Sequence, residues 1–226
     1  MFYLENQDLS NKRVIIRVDL NVPLDKNCSV TDTTRIEACK ETVNTVIKLG
    51  GSCVLISHLG RPKGKEKTLS LKNIIETVST VMDRPVLFHK DCIGRDAEKA
   101  TLLLKTGQII LMENLRFYDE ETEGSMTFAE NLSKLGDVYI NDAFGTAHRA
   151  HASTTIIAQF FPNDKMFGLL MSAELESVDK AFKEGKHPVT AIMGGSKVSS
   201  KISIILQCEA RRCDTIYRCR DHLRCA

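Results

Sequence analysis

The chain has 226 residues and a formal net charge of +2, and with 42% hydrophobic and 27% charged residues it has the composition of a globular protein that buries one full core and part of another. A charge this close to zero, with basic residues not gathered into one block, argues against nucleic-acid or membrane binding through the overall field. The sequence has no transmembrane stretch, and its start, Met-Phe-Tyr-Leu-Glu-Asn, lacks the order of a secretory signal, so a cytoplasmic location is expected.

Short apolar runs alternate with helical patterns along the chain, which predicts an α/β fold with a mainly parallel sheet. Strands are predicted at residues 14–18, 53–57, 86–88, 109–112, 138–140 and 189–193. Helices are predicted between them, at residues 34–49, 71–82, 96–105, 128–135 and 173–183. The first helix has the clearest pattern, because its apolar residues recur at helical spacing and Gly50-Gly51 supplies a stop.

Polar side chains follow the predicted strands at their carboxyl ends, where ligands bind in open parallel sheets. They are Asp19 and Asn21 after the first strand, Ser57, His58 and Arg61 after the second, Glu113, Asn114 and Arg116 after the fourth, and Asn141, Asp142, His148, Arg149 and His151 after the fifth. Arg35 begins the first helix. Because a guanidinium group binds carboxylate or phosphate in a bidentate manner, these arginines predict a small, strongly anionic ligand. The alternative is that each arginine pairs with a nearby carboxylate, such as Asp19 or Glu113.

A glycine-rich loop with two lysines follows the last predicted strand. Gly194 and Gly195 permit a tight turn and a close approach of backbone N–H groups to an anion, and Lys197 and Lys201 fall on one face of the helix that follows. The loop is either a cradle for a transferring phosphoryl group or a structural turn with two solvated lysines. It is not a Walker loop, because the Gly-x4-Gly-Lys-Ser/Thr spacing is absent.

Five motifs stand in the order of one enzyme family. They are Arg17-Val-Asp-Leu-Asn-Val-Pro23, Ser57-His-Leu-Gly-Arg-Pro62, Glu113-Asn-Leu-Arg-Phe117, Asn141-Asp-Ala-Phe-Gly-Thr-Ala-His-Arg-Ala-His-Ala-Ser153 and Gly194-Gly-Ser-Lys-Val-Ser-Ser-Lys201. The sequence resembles phosphoglycerate kinase over residues 1–203. The resemblance implies a Rossmann-like parallel sheet flanked by helices, in an N-terminal 3-phosphoglycerate-binding domain at residues 1–171. A hinge helix at 172–188 and the beginning of a nucleotide-binding domain at 189–206 would follow, so that the second α/β domain is incomplete.

The resemblance also implies an activity and its residues. The family transfers a phosphoryl group reversibly from 1,3-bisphosphoglycerate to ADP, giving 3-phosphoglycerate and ATP in glycolysis, with magnesium bound to the nucleotide. The positions that match the family's 3-phosphoglycerate ligands are Asp19, Asn21, Arg35, His58, Arg61, Arg116 and Arg149. Arg35 and Lys197 match catalytic residues, and Lys197 and Lys201 match nucleotide-phosphate ligands. The protein ligand of magnesium would lie in a part of the family sequence that this chain lacks, and a monomer is expected.

His148 and His151 stand three residues apart and could ligate a metal if they lay on one helix. No acidic or cysteine partner stands at a suggestive spacing, and the matching motif implies a structural or substrate-site role instead. No metal-ligating residue is therefore predicted.

Residues 207–226 differ in composition from the rest, with four of the eight cysteines, five of the thirteen arginines and no lysine. A shifted reading frame or truncated gene model would explain such a non-family tail, and disorder or a frayed helix is predicted for it. The alternative is a zinc or disulfide module of Cys208, Cys213, Cys219, Cys225 and His222, although their spacing fits no common Cys-x2-Cys site. Two functions remain open: the substrate-binding half of a phosphoglycerate kinase, inactive alone, or a stand-alone 3-phosphoglycerate-binding module without kinase activity.

Overall fold

A computed structural model of the chain describes residues 4–183 and three strands at 190–194, 214–218 and 223–225. The chain divides into two compact units, Met1–Ser172 and Ala173–Ala226. The domain boundaries given by the sequence stay predictions. Within the described ranges, no helix is both long enough and apolar enough to cross a membrane.

The first unit is built on a six-stranded parallel sheet. Its strands are β1 (Arg13–Arg17), β2 (Ser52–Ile56), β3 (Val86–His89), β4 (Ile109–Met112), β5 (Val138–Asn141) and β6 (Lys165–Phe167). They lie in the order β3-β4-β2-β1-β5-β6, and every neighbouring pair is parallel. The inner strands are short apolar runs because both of their faces are covered. The predicted α/β fold with a parallel sheet is confirmed.

Six α-helices in the described part of the chain connect or follow these strands. They are α1 (Thr34–Lys48), α2 (Ile75–Met82), α3 (Arg95–Leu102), α4 (Asp119–Glu123), α5 (Met126–Ser133) and α6 (Leu169–Lys183). The helix predicted from residue 71 begins instead with a 3-10 turn at Leu71–Ile74, where the Ser70 hydroxyl accepts a hydrogen bond from the Lys72 amide. The sequence missed α4 and the edge strand β6, because five and three residues are too few to show a periodicity.

Two apolar cores cover the two faces of the sheet, since successive side chains of a strand point to opposite sides. Val14 and Ile16 of β1 belong to the core that includes Val43 of α1. Ile15, between them, belongs to the other core, with Phe128 of α5. Helices on both faces leave the carboxyl edge of the sheet as the place where polar loops meet.

The second unit contains a separate three-stranded sheet of β7 (Thr190–Gly194), β8 (Asp214–Arg218) and β9 (Leu223–Cys225). Strand β8 pairs with β7 in parallel and with β9 in antiparallel orientation. The prediction of disorder or a frayed helix was therefore wrong for β8 and β9. The physical reason is that Thr215, Ile216 and Tyr217 favour strands and have a backbone partner in β7.

Candidate functional site

A cleft of about 420 Å³ lies in the first unit, among the loops that follow four adjacent strands of the sheet. All seven residues predicted to bind 3-phosphoglycerate line it: Asp19, Asn21, Arg35, His58, Arg61, Arg116 and Arg149. Three residues that were not predicted as ligands line it as well: Gly60, Gly145 and Thr146. Gly60, Gly145 and Thr146 all fall inside the five motifs, and their place there is the signal that could have found them. The structure thus brings seven side chains from distant segments to one cavity.

The loops around the cleft are tied together by buried hydrogen bonds. Ser57 donates through Oγ to the carbonyl of Val18 at 2.8 Å and accepts from the amide of Leu20 at 2.9 Å, which joins the ends of β1 and β2. Asn21 Oδ1 accepts from the Gly60 amide at 2.8 Å. The fully buried Asn114 donates to the carbonyl of Leu59 at 2.8 Å, which fixes the loop after β2 against the loop after β4. These bonds hold the cleft's walls without a ligand.

One arginine of the cleft is paired with a carboxylate. Arg35 Nη1, from the first turn of α1, forms an ion pair with Asp19 Oδ2, and the two side chains are 51% and 17% exposed. The suggested pairing of Glu113 with an arginine was wrong. Glu113 instead accepts from the Ser70 hydroxyl at 2.6 Å and from the Leu71 amide at 2.8 Å. The alternative interpretation of the arginines therefore holds for Arg35.

The other three arginines of the cleft form no ion pair with a carboxylate of the described residues. Arg116 donates to the carbonyl of Gly60 at 2.6 Å, and Arg149 donates through Nε to His148 at 3.3 Å. Burial and the nearby charges of Arg149 and Arg17 lower the pKa of Arg116. Several cations in one cleft repel each other, so an anion bound there would relieve that repulsion.

His58 is buried, and its Nδ1 lies 3.0 Å from Nη2 of Arg17. Burial, followed by the charges of Arg17 and Arg116, lowers its pKa to about 2. The ring is therefore neutral near pH 7, and it serves the cleft as a hydrogen-bonding group and not as a cation. Arg17 itself does not line the cleft.

A second pocket of about 310 Å³ adjoins the cleft and shares Arg61, Arg116 and Arg149 with it. His151 lines this pocket, with Nδ1 3.9 Å from Glu121 Oε1. His148 and His151 lie in a turn and at the residue that precedes a helix, so they do not share a helical face. Among the residues that the structure describes, there is no group of three or more His, Cys, Asp or Glu side chains that could hold a metal ion.

The comparison with known families is decisive. The family model described as phosphoglycerate kinase matches residues 4–218. This chain belongs to the phosphoglycerate kinase family. The match extends past residue 206, whereas the change in composition predicts that the family-like sequence ends there.

Individual phosphoglycerate kinases agree with this assignment. The chain is 46% identical to that of Porphyromonas gingivalis over 227 residues, which cover 89% of this chain and 54% of that protein. It is 46% identical to that of Dictyoglomus turgidum over 202 residues, or 89% of this chain and 50% of that protein. The crystal structure of phosphoglycerate kinase from Pyrococcus horikoshii OT3 superposes with a TM-score of 0.85 at 30% identity, over 97% of this chain and 56% of that one. The chain thus spans about half the length of the phosphoglycerate kinases it matches.

Two residues predicted to serve phosphoryl transfer in phosphoglycerate kinases, Lys197 and Lys201, lie outside the described residues. Gly194 ends β7, which places the start of the glycine-rich loop directly after a strand, as predicted. The arginine-lined cleft of the first unit therefore contains all of the predicted site residues that the structure describes.

Proposed function

We propose that the cleft binds 3-phosphoglycerate, and that it provides the substrate side of reversible phosphoryl transfer between 1,3-bisphosphoglycerate and ADP. The observation that carries this proposal is the gathering of all seven predicted ligands in one cavity, three of them arginines without a carboxylate partner among the described residues. A ligand with a phosphate and a carboxylate group matches such an array, since each group can accept bidentate hydrogen bonds from a guanidinium.

The arrangement supports a division of roles. Arg61, Arg116 and Arg149, which also line the adjoining pocket, form a cationic cluster for the phosphate of the substrate. Arg35, which is paired with Asp19, is the candidate for binding the carboxylate end of the substrate and the transferring phosphoryl group. Asp19 and Asn21 remain for the hydroxyl group, because a carboxylate accepts and an amide both accepts and donates.

The reaction needs no covalent enzyme intermediate. In the direction of ATP synthesis, an oxygen of ADP attacks the phosphorus of the acyl phosphate, the bond to the carboxyl oxygen breaks, and 3-phosphoglycerate leaves as a carboxylate. Arg35 and Lys197 would stabilise the charge on the equatorial oxygens of the transferring group. Magnesium enters this proposal with the nucleotide alone, and no residue of the described part is assigned to it.

Isothermal titration calorimetry of the 226-residue chain with 3-phosphoglycerate tests the site. Arg61→Ala and Arg149→Ala should each weaken binding by about tenfold at low salt, which corresponds to one lost charge-assisted hydrogen bond of about 1.4 kcal/mol. Arg84→Ala is the matched control, because Arg84 is an exposed arginine just before β3, at the amino edge of the sheet. Unchanged affinity in both cleft variants would place the anion site elsewhere.

A stand-alone 3-phosphoglycerate-binding module is the second candidate. It is favoured by the observation that the complete cleft lies within the first unit, Met1–Ser172. A coupled assay with 3-phosphoglycerate and magnesium ATP tests an expectation that both candidates share, namely that this chain is inactive alone. We expect no turnover from this chain alone, and measurable turnover would contradict that expectation and the module together.

A further inference from the structure

Arg17, the last residue of β1, is a fully buried cation outside the set of predicted ligands. Its side chain is only 1% exposed. A guanidinium removed from water is costly unless its N–H groups are bonded. Here all three nitrogens donate: Nε to Ser153 Oγ at 3.0 Å, Nη1 to the carbonyl of Val18, and Nη2 to Nδ1 of His58 at 3.0 Å.

Glu121 carries the negative charge that balances Arg17, and the hydroxyl group of Ser153 bridges the two side chains. Ser153 donates through Oγ to Glu121 Oε1 at 2.5 Å, and its amide donates to Oε2 at 2.9 Å. Glu121 is fully buried. Because the Ser153 hydroxyl has a single proton and gives it to Glu121, its oxygen must accept from Arg17. The guanidinium is therefore held from one side by a carboxylate that cannot move to solvent.

On the other side, Arg17 determines the state of the His58 ring. A guanidinium donates and never accepts, so Nδ1 of His58 must be the acceptor in their contact. The proton of the neutral ring then resides on Nε2. Protonating Nδ1 as well would bring two N–H donors face to face and place a second positive charge beside a buried one.

The other charged or titratable groups around His58 act in the same direction. Arg116 and Arg149 reach it from the loops after β4 and β5, and His151 from the residue before the following helix. All three disfavour the imidazolium form, and so does burial. His58 lines the cleft with Nδ1 already engaged, so Nε2–H is the ring group left for a ligand.

We propose that Arg17 is a positioning residue that holds His58 as the neutral Nε2–H tautomer, so that this ring donates one hydrogen bond to a carboxylate or phosphate oxygen in the cleft. This inference rests on the proposed function for the identity of the ligand. It explains how a histidine can donate a hydrogen bond in an anion site without changing its own charge between pH 5 and 8.

The state of the ring can be measured without a ligand. In the complete chain labelled with ¹⁵N-histidine, we expect the Nδ1 and Nε2 shifts of a neutral Nε2–H ring at His58, unchanged from pH 5 to pH 8. His58→Asn identifies the resonance. A titration within this range, or an Nδ1–H ring, would overturn the proposal whether or not 3-phosphoglycerate binds.

Variants then test the cause. Arg17→Met alone leaves Glu121 as an unpaired buried charge, so the double variant Arg17→Met/Glu121→Gln is used beside it. We expect the pKa of His58 to be higher in the double variant than in the unaltered chain, and its ring to lose the fixed Nε2–H tautomer, because one cation is gone while burial, Arg116 and Arg149 still disfavour the imidazolium form. The matched control is Arg13→Met/Asp137→Asn, which removes another pair that includes an arginine of β1.

The outcomes separate the two proposals. If the control and the double variant show the same His58 titration, Arg17 has no specific role and the inference fails. If the unaltered chain has the neutral Nε2–H ring and the double variant loses it, the positioning role stands even where calorimetry finds no 3-phosphoglycerate binding. In that case the proposed function alone is refuted.

Discussion

Because Arg35 and Asp19 form an ion pair, we predict that the effect of Asp19→Asn on ligand affinity has opposite signs in the unaltered chain and in the Arg35→Ala variant. Arg35→Ala removes a half-exposed cation and leaves the Asp19 carboxylate without its partner in the wall of the cleft. An anionic ligand then loses an attractive charge and meets an uncompensated negative one. Asp19→Asn removes that negative charge while keeping the size of the side chain.

The magnitude follows from Coulomb's law and the exposure of the pair. Two unit charges about 5 Å apart interact by about 0.8 kcal/mol in water and about 3 kcal/mol at an effective dielectric constant of about 20. Because Arg35 is 51% exposed, we use the lower end, about 1 kcal/mol, for the repulsion between the uncompensated Asp19 carboxylate and the anionic ligand. A lost charge-assisted hydrogen bond adds about 1.5–3 kcal/mol. Arg35→Ala should therefore weaken 3-phosphoglycerate binding by about 2.5–4 kcal/mol, or roughly 60- to 700-fold.

Calorimetry on four chains tests this reasoning: the unaltered chain, Arg35→Ala, Asp19→Asn and the double variant. Asp19→Asn should weaken binding in the unaltered chain, where Asp19 is proposed to accept from the substrate hydroxyl. In the Arg35→Ala background, Asp19→Asn should instead increase the affinity for 3-phosphoglycerate by about fivefold. This increase should shrink at high salt, since the Debye length falls to about 3 Å at 1 M, which is shorter than the separation of about 5 Å between the two charges. Lys40→Ala, which breaks the α1 ion pair with Asp83, is the control. The same sign of effect in both backgrounds would refute the argument.

Three further predictions concern stability. Gly168→Ala should lower the free energy of unfolding by about 1–3 kcal/mol, because its Cβ would lie 2.2 Å from Asp142 Oδ1, whereas Gly145→Ala meets nothing closer than 3.5 Å; thermal denaturation of both compares them. The pKa of Asp137 is lowered, through hydrogen bonds from Arg13 that outweigh its partial burial, so its stabilising effect is present above its unfolded pKa and is lost as pH falls through the folded one. Asp137→Asn should therefore cost about 0.5–1 kcal/mol in urea denaturation at pH 7 and nothing near pH 2, and an equal cost at both would contradict this. Burial raises the pKa of Asp142, so its favourable contribution is present below its unfolded pKa and is lost as pH rises through the folded one. Asp142→Asn keeps an acceptor for the Met171 amide near the start of α6 and should make the free energy of unfolding less dependent on pH between pH 4 and 7. A plot of that free energy against pH that runs parallel to the plot for the unaltered chain would count against this prediction.

The sequence predicted the cleft because its residues obey a rule that depends only on local order. Buried parallel strands are recognisable as short apolar runs, and the polar residues after them must meet at the carboxyl edge. Arg116 and Arg149 could thus be placed in one site before any contact was known, whereas the full set of seven ligands came from the resemblance to phosphoglycerate kinase. Strand β6 escaped prediction because its three residues form a strand only through pairing with β5.

Arg17 shows the limit of this reasoning. In the sequence it is a charged residue at the end of an apolar run, which is equally consistent with an exposed strand end and with a buried cation. The decision is made by Ser153 and Glu121, and Ser153 stands 136 residues further along the chain. A buried charge requires several partners with the right donor and acceptor pattern at once, and no periodicity records that requirement.

The cleft combines two kinds of side chain, and this difference predicts how binding energy is divided. His58 accepts a hydrogen bond from Arg17, and Asn21 accepts one from the Gly60 amide, so a ligand that uses these two side chains loses little side-chain entropy. Arg61 is exposed and has no bond that fixes it within the described part of the chain. Ordering a long side chain costs about 0.5–1.5 kcal/mol, which offsets part of each new contact. The fixed groups should therefore determine which anion fits, whereas the exposed arginines should supply affinity and also determine the rate of association and its salt dependence.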